Sequence, residues 1–366
     1  MALTAGIVGL PNVGKSTLFN AITKAGVEAA NYPFATIDPN VGIVEVPDKR
    51  LNDITEMVQP KKTVPTTFEF TDIAGIVKGA SKGEGLGNKF LSNIRQVDAI
   101  CQVVRCFEDD NITHVDGRVD PVSDIETINL ELIMADLETI DKRIAKTAKL
   151  AKTKNAEAVA EMEVLTKLKE ALESNQLANA VEFTKEQEPI VRNLFLLTRK
   201  KMLYVANIGE EEVSDPSSNP YLKEVEALAN QQGAQVVPVC ASLEEEIALL
   251  DDEEKKEFLS DFGMTESGLD RLIQSSYSLL GLGTYFTAGV QEVRAWTFKL
   301  GMKAPQAAGV IHSDFEKGFI RAETMSYDDL MAHGSEHAVK EAGKYRSEGK
   351  EYVVQDGDIM LFRFNV

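Results

Sequence analysis

Nine residues near the start of the chain, Gly9 to Thr17 (GLPNVGKST), limit what the chain can fold into. They follow an apolar run, Ala2 to Val8, that reads as a buried strand, and lead into Ser16 to Ile22, which reads as the start of a helix. Gly9, Gly14, Lys15 and Ser16 satisfy G-x-x-x-x-G-K-[ST], the phosphate-binding loop. Glycine lets the backbone wrap close enough for its N–H groups to face phosphate oxygens. The following helix turns its positive N-terminal end to the same anion. Lys15 is then placed to neutralise the β- and γ-phosphates, and the Ser16 hydroxyl to ligate Mg²⁺. Asn12, Val13, Gly14, Lys15, Ser16 and Thr17 are the expected phosphate-contacting run, with the Thr17 side chain packed in the loop helix. Asn12 is also placed to help hold a monovalent cation such as K⁺ against the phosphates.

The loop helix should end near Gly26. Asn31 to Thr36 (NYPFAT) and Ile37 to Gly42 (IDPNVG) carry two prolines, which forbid a regular helix and make this a loop before a strand, Val41 to Val46. In nucleotide switches the first mobile loop supplies a Thr that reaches Mg²⁺ and the γ-phosphate, and Thr36 is the candidate. Thr66 to Ile73 (TTFEFTDI) alternates as a strand does and ends in Asp72-Ile73-Ala74-Gly75. Asp72 is positioned to hold a Mg²⁺-bound water and the Gly75 N–H to grip the γ-phosphate. The metal set is therefore Ser16, Thr36 and Asp72. The glycine-rich Gly79–Gly87 suits either a loop ordered by the triphosphate or a plain surface loop.

Where Ras-like GTPases carry a water-orienting Gln, this chain has Ile76, which cannot serve. Unaided hydrolysis should be slow, or use another group. His114, in the loop after the strand Ala99 to Phe107, is a catalytic candidate beside Lys15, with surface decoration as the other reading.

Two further strands, Met202 to Ala206 and Gln235 to Val239, end in Asn207-Ile208-Gly209-Glu210 and Cys240-Ala241-Ser242. GTPases carry N-K-x-D and S-A-K at these ends. Here Ile208 and Gly209 replace Lys-x, and Glu210 replaces the guanine-reading Asp. Guanine selection should weaken, because a polar site that loses its designed partner loses discrimination, and adenine becomes an alternative. Asn207, Ile208, Glu210, Cys240, Ala241, Ser242 and the Phe107 ring are the expected base-side residues.

From Val122 to about Leu172 the pattern changes. Ile133, Leu137, Ile140 and Ile144, then Val159, Met162, Leu165, Leu168 and Leu172, recur at helical spacing around a break at Lys152 to Ala156. This is an antiparallel coiled-coil hairpin. Six basic residues and no acid lie between Lys142 and Lys154. A probe for a polyanion such as RNA and a solvated helix face are both open readings. Glu186 to Thr198 reads as an amphipathic helix returning to the first domain. Past about Gly281, strands at Thr284–Thr287, Val293–Phe298, Gly318–Ala322 and Asp358–Phe364 with short helices at Pro305–His312 and Tyr327–Ala332 make a small α+β domain.

The chain's 366 residues and 43% hydrophobic content suffice for two or three domains. Those expected are a discontinuous nucleotide-binding domain, 1–122 and 200–280, a helical insertion, 123–199, and a C-terminal domain, 281–366. No apolar run is long enough to cross a bilayer, and the first residues lack a signal peptide's basic n-region. Cys101, Cys106 and Cys240 lack metal-ligand spacing and read as reduced core thiols of a cytoplasmic protein. A formal charge of −19, from 39 Lys+Arg against 58 Asp+Glu, argues against nonspecific nucleic-acid binding, DNA included. The acids Glu244–Glu246 and Asp251–Glu254 read as a solvated helix face.

The phosphate loop, NYPFAT and DIAG together resemble the Obg branch of the translation-factor-like P-loop NTPases, and Asn207-x-x-Glu210 in place of N-K-x-D resembles the YchF family. The layout is similar across essentially the whole chain. The resemblance implies an α/β P-loop NTPase domain with an inserted antiparallel coiled-coil hairpin and a C-terminal α+β domain similar to the TGS module of threonyl-tRNA synthetases and SpoT proteins. It further implies preference for ATP over GTP, no catalytic Gln, and association with the ribosome, its large subunit and its RNA, in translation or stress responses. An Obg-type GTPase, or a ribosome-binding module with nucleotide as a structural ligand, are the alternatives.

Overall fold

The computed structural model describes residues 3–26, 40–73, 86–109, 111–112, 117–153 and 155–365. In chain order the elements through the hairpin are β1 (Thr4–Val8), α1 (Lys15–Ala25), β2 (Val41–Glu45), α2 (Lys49–Val58), β3 (Thr63–Val64), β4 (Thr67–Asp72), α3 (Leu86–Gln96), β5 (Ala99–Cys106), α4 (Pro121–Ala151) and α5 (Ala156–Glu173). There follow α6 (Glu188–Arg192), β6 (Lys201–Ile208), α7 (Pro220–Gln232), β7 (Gln235–Val239), α8 (Ala241–Ile247), α9 (Asp252–Asp261) and α10 (Gly268–Leu279). The C-terminal elements are β8 (Leu282–Ala288), β9 (Val293–Lys299), α11 (Ala304–Ile311), α12 (Ser313–Lys317), β10 (Phe319–Ser326), α13 (Tyr327–His333), α14 (Glu336–Glu341), β11 (Arg346–Glu348) and β12 (Asp358–Phe364). The chain divides into two compact units, 1–44 with 69–276, and 45–68 with 277–366.

The first unit is built on a sheet of order β2-β4-β1-β5-β6-β7, in which β4, β1, β5, β6 and β7 run parallel. A parallel strand covered on both faces must be apolar throughout. Every residue of β5 is buried, as are all of β6 after Lys201. The carboxyl ends of β1, β5, β6 and β7 therefore open at one edge, where ligands bind in open α/β sheets.

The hairpin belongs to this unit. Pro121 opens α4 behind the Asp120 cap, whose side chain accepts from the Ser123 N–H at 3.1 Å. Asn155 caps α5 through the Ala158 N–H at 2.9 Å. At 31 residues α4 is about 47 Å long, from the usual rise per residue. Ile133 and Ile140 of α4 and Val164, Leu165 and Leu168 of α5 are buried, and Arg143 pairs with Glu161 at 2.6 Å. Val159, expected on the apolar stripe, is 42% exposed. It lies in the first turn of α5, near the hairpin tip.

The expected helix over Glu186–Thr198 is broken. Only Glu188–Arg192 is α-helical, Phe195 is left-handed (φ 49°), and Leu197–Arg199 forms a 3₁₀ turn. Tertiary bonds compete with helix here, because buried Asp136 of α4 accepts from the N–H groups of Leu197 at 2.9 Å and Thr198 at 2.8 Å, and from the Thr198 hydroxyl at 2.7 Å. Glu244 also departs from the solvated-face reading. It is buried and accepts from the Gly268 N–H at 2.7 Å. Burial pushes its carboxyl pKa up. Cys101, Cys106 and Cys240 are buried free thiols, and burial pushes that of Cys101 up to about 12.

The second unit carries a sheet of order β11-β10-β12-β8-β9-β3. One face packs Tyr285, Phe298, Phe319 and Phe362 against α11, and the other packs Phe286, Ala295 and Ile359 with Leu51, Ile54, Leu330 and Val339. Residues 45–68, expected in the nucleotide-binding domain, thus group with the C-terminal domain. Helix α2, which the sequence reading leaves unassigned, contributes Leu51 and Ile54 to that core. Arg50 bridges Asp48 and Asp356, with hydrogen bonds of 2.8 Å to each.

Candidate functional site

The phosphate loop joins β1 to α1 with Asn12 at φ 63° and Gly14 at φ 90°. Left-handed backbone favours glycine at Gly14, and space demands it. A Cβ there would lie 2.1 Å from the Asn207 carboxamide nitrogen. A Cβ on Gly9 would lie 2.9 Å from the Val13 side chain. No side chain caps the start of α1, so its first N–H groups stay available to an anion. Lys15, at that start, forms an ion pair with Asp72 at the end of β4, and Ser16 beside it is exposed.

A cleft of about 1440 Å³ opens over these residues. Asn12, Gly14, Lys15, Ser16 and Thr17 line its phosphate side. Ile208, Glu210, Ala241 and Ser242 line the other, with Phe107. The structure therefore brings the loop and both strand ends to one cavity. Val13 is buried beneath the loop and gives the site its carbonyl, which accepts from Asn207 Nδ2 at 2.9 Å. The Asn207 oxygen accepts from the Ala241 N–H at 3.0 Å. Asn207 lines the cleft and also clamps the loop to the strand end. The Glu210 carboxylate accepts from the Ser242 hydroxyl at 3.2 Å. Cys240 does not line the cleft; it is buried, its thiol 3.3 Å from the Ser242 oxygen. Burial raises its pKa. Thr36, Gly75, His114 and Lys154 lie outside the described residues.

Further residues at and behind the cleft wall belong to no motif. The buried Arg105 donates to the carbonyls of Phe107, Asp109 and Ile112. Tyr221 donates to the Glu108 carboxylate. Asn219 donates to the Cys106 carbonyl at 2.7 Å and caps α7 through the Leu222 N–H. An arginine inside the apolar run AICQVVRCF was the available signal.

A family model described as a 50S ribosome-binding GTPase matches residues 4–136, and the model of the YchF GTPase C-terminal region, described as a protein of unknown function, matches residues 282–365. A protein of Bacillus subtilis named ribosome-binding ATPase YchF is 70% identical over 366 residues, covering all of both chains. The chain belongs to the YchF family. A Haemophilus influenzae member of the same name is 57% identical over the full length of both chains. The Schizosaccharomyces pombe YchF GTPase structure superposes with a TM-score of 0.87 at 41% identity, over 99% of this chain and 97% of that one. The YchF fold is accordingly a P-loop domain of the GTPase type joined to a C-terminal YchF domain.

Proposed function

We propose that this chain is a Mg²⁺-dependent ATP hydrolase, a slow nucleotide switch that binds the ribosome in the cytoplasm. The cleft carries the reading: a phosphate loop and a base side altered from N-K-x-D to Asn207-Ile208-Gly209-Glu210 line one cavity. The names of the bacterial relatives support ATP as the nucleotide and the ribosome as the partner. A role in translation or stress regulation, through the large subunit and its RNA, follows from the same reading.

The side chains fit a hard cation. Ser16 lines the cleft, and the Asp72 carboxylate pairs with the neighbouring Lys15. Oxygen donors in this number suit Mg²⁺, which keeps several waters and phosphate oxygens as ligands. When bound, Mg²⁺ neutralises charge on the transferring phosphoryl group. With a triphosphate bound, Lys15 would pair with its β- and γ-phosphates, and the Asp72 carboxylate would then be free to hold a metal-bound water. Thr36, outside the described residues, would supply the third ligand, and Asn12 would hold K⁺. The start of α1 and the loop N–H groups hold the triphosphate.

Turnover tests the proposal. Mg²⁺-ATP should be hydrolysed slowly, EDTA should stop it, and Lys15→Ala should lower it by at least about a hundredfold. A Lys15→Ala protein that keeps wild-type turnover would contradict it. One that loses turnover yet keeps full cellular function would favour nucleotide as a structural ligand.

A further inference from the structure

We infer that Arg105 is a positioning residue for base binding, holding the segment after β5 so that the Phe107 ring faces the nucleotide base; this rests on the cleft being a nucleoside triphosphate site.

Arg105 is 2% exposed, at the end of a fully buried strand. Its Nε donates to the Phe107 carbonyl at 3.1 Å, Nη2 to that of Asp109 at 3.2 Å and Nη1 to that of Ile112 at 2.9 Å. All three acceptors belong to one short segment that lines the cleft. The guanidinium also lies over the Phe107 ring, 4.7 Å from its centroid. Parallel pairing of β5 with β6 sets Arg105 beside Asn207, the clamp on the phosphate loop. Neighbouring strand ends thus each use one buried polar side chain to shape the same cavity.

The chemistry requires arginine. Its planar fork presents several donors at fixed angles and stacks on an aromatic face, whereas lysine offers a single ammonium. A phenyl ring covered on one face by the guanidinium is restrained and offers its other face to a base. Stacking on such a ring adds affinity for any base, since each has a π-face. Arg105 should therefore strengthen ATP and GTP alike and leave the phosphate side untouched.

The test is calorimetry on the full chain with Mg²⁺, comparing a non-hydrolysable ATP analogue with inorganic tripolyphosphate. Arg105→Lys should weaken the analogue about tenfold, as loss of one base–aromatic stack does, with tripolyphosphate affinity unchanged. In steady state KM should rise while kcat holds. Equal losses for both probes would overturn the inference, as would no loss for either. Phe107→Leu keeps the three carbonyl bonds and should give the same split; unchanged analogue affinity there would overturn the inference even if Arg105→Lys does not fold. A wild-type chain that binds tripolyphosphate but gains nothing from the nucleoside would refute the inference alone. One that binds neither probe would remove the nucleotide site itself.

Discussion

The Asn207 carboxamide donates to the Val13 carbonyl across 2.9 Å, joining the end of β6 to the phosphate loop. The same group accepts from the Ala241 N–H, so one buried side chain fixes three loops of the cleft. Asn207→Ala strands a buried carbonyl and a buried N–H, each costing about 1–3 kcal/mol. Chemical denaturation should show a loss of that order, and ATP-analogue affinity should fall with it. Unchanged affinity would separate the clamp from the site.

Lys15 and Asp72 neutralise each other in this structure. Lys15→Ala should lower single-turnover ATP hydrolysis by at least about a hundredfold, the scale lost with one preorganised charge donor. Asp72→Asn keeps the shape and removes the charge. Its hydrolysis should need more Mg²⁺, read as a rightward shift of the Mg²⁺ titration; a superimposable titration would exclude Asp72 from metal binding.

On the hairpin, Lys142 pairs with Glu138 and Arg143 with Glu161, while Lys146, Lys149 and Lys152 are exposed without an ion pair among the described residues. Among the described residues of the hairpin tip, these three are the cations free to meet a polyanion. Changing them to Gln should weaken ribosome co-sedimentation and flatten its salt dependence. Sedimentation identical to wild type at every salt concentration would leave the tip a solvated face.

Asp136 holds the 3₁₀ turn before β6 through three hydrogen bonds. Asp136→Ala leaves the Leu197 and Thr198 N–H groups buried without an acceptor and should cost about 3 kcal/mol by thermal or urea unfolding. Burial raises the Asp136 pKa, so the folded state binds this proton more tightly than the unfolded chain. Its ionisation therefore opposes folding as pH rises through the folded pKa. The unfolding free energy of wild type minus that of Asp136→Asn should fall as pH rises through the acid range. Parallel curves would contradict that sign.

The phosphate loop and the two strand ends were legible because local chemistry dictates them: glycine where backbone must approach an anion, and apolar runs ending in polar residues at a sheet edge. Hairpin limits were legible from the 3.6-residue period and its break at Lys152 to Ala156. Residues 45–68 were not placed with the C-terminal unit, since a strand-and-helix segment does not say which sheet its apolar face will meet. Leu51 and Ile54 find theirs only in three dimensions. Glu244 looked solvated because its neighbours are acidic, yet a single buried N–H at Gly268 recruits it. Arg105 was passed over for the opposite reason: its partners are backbone carbonyls, which sequence does not distinguish.

Equilibrium binding of non-hydrolysable ATP and GTP analogues with Mg²⁺, measured by calorimetry on the purified chain, tests the central claim most directly. The account predicts the ATP analogue tighter by about tenfold or more, or 1.4 kcal/mol. A GTP analogue bound equally well or more tightly would mean that Asn207-x-x-Glu210 still selects guanine, and the chain would then be a GTPase of the Obg type.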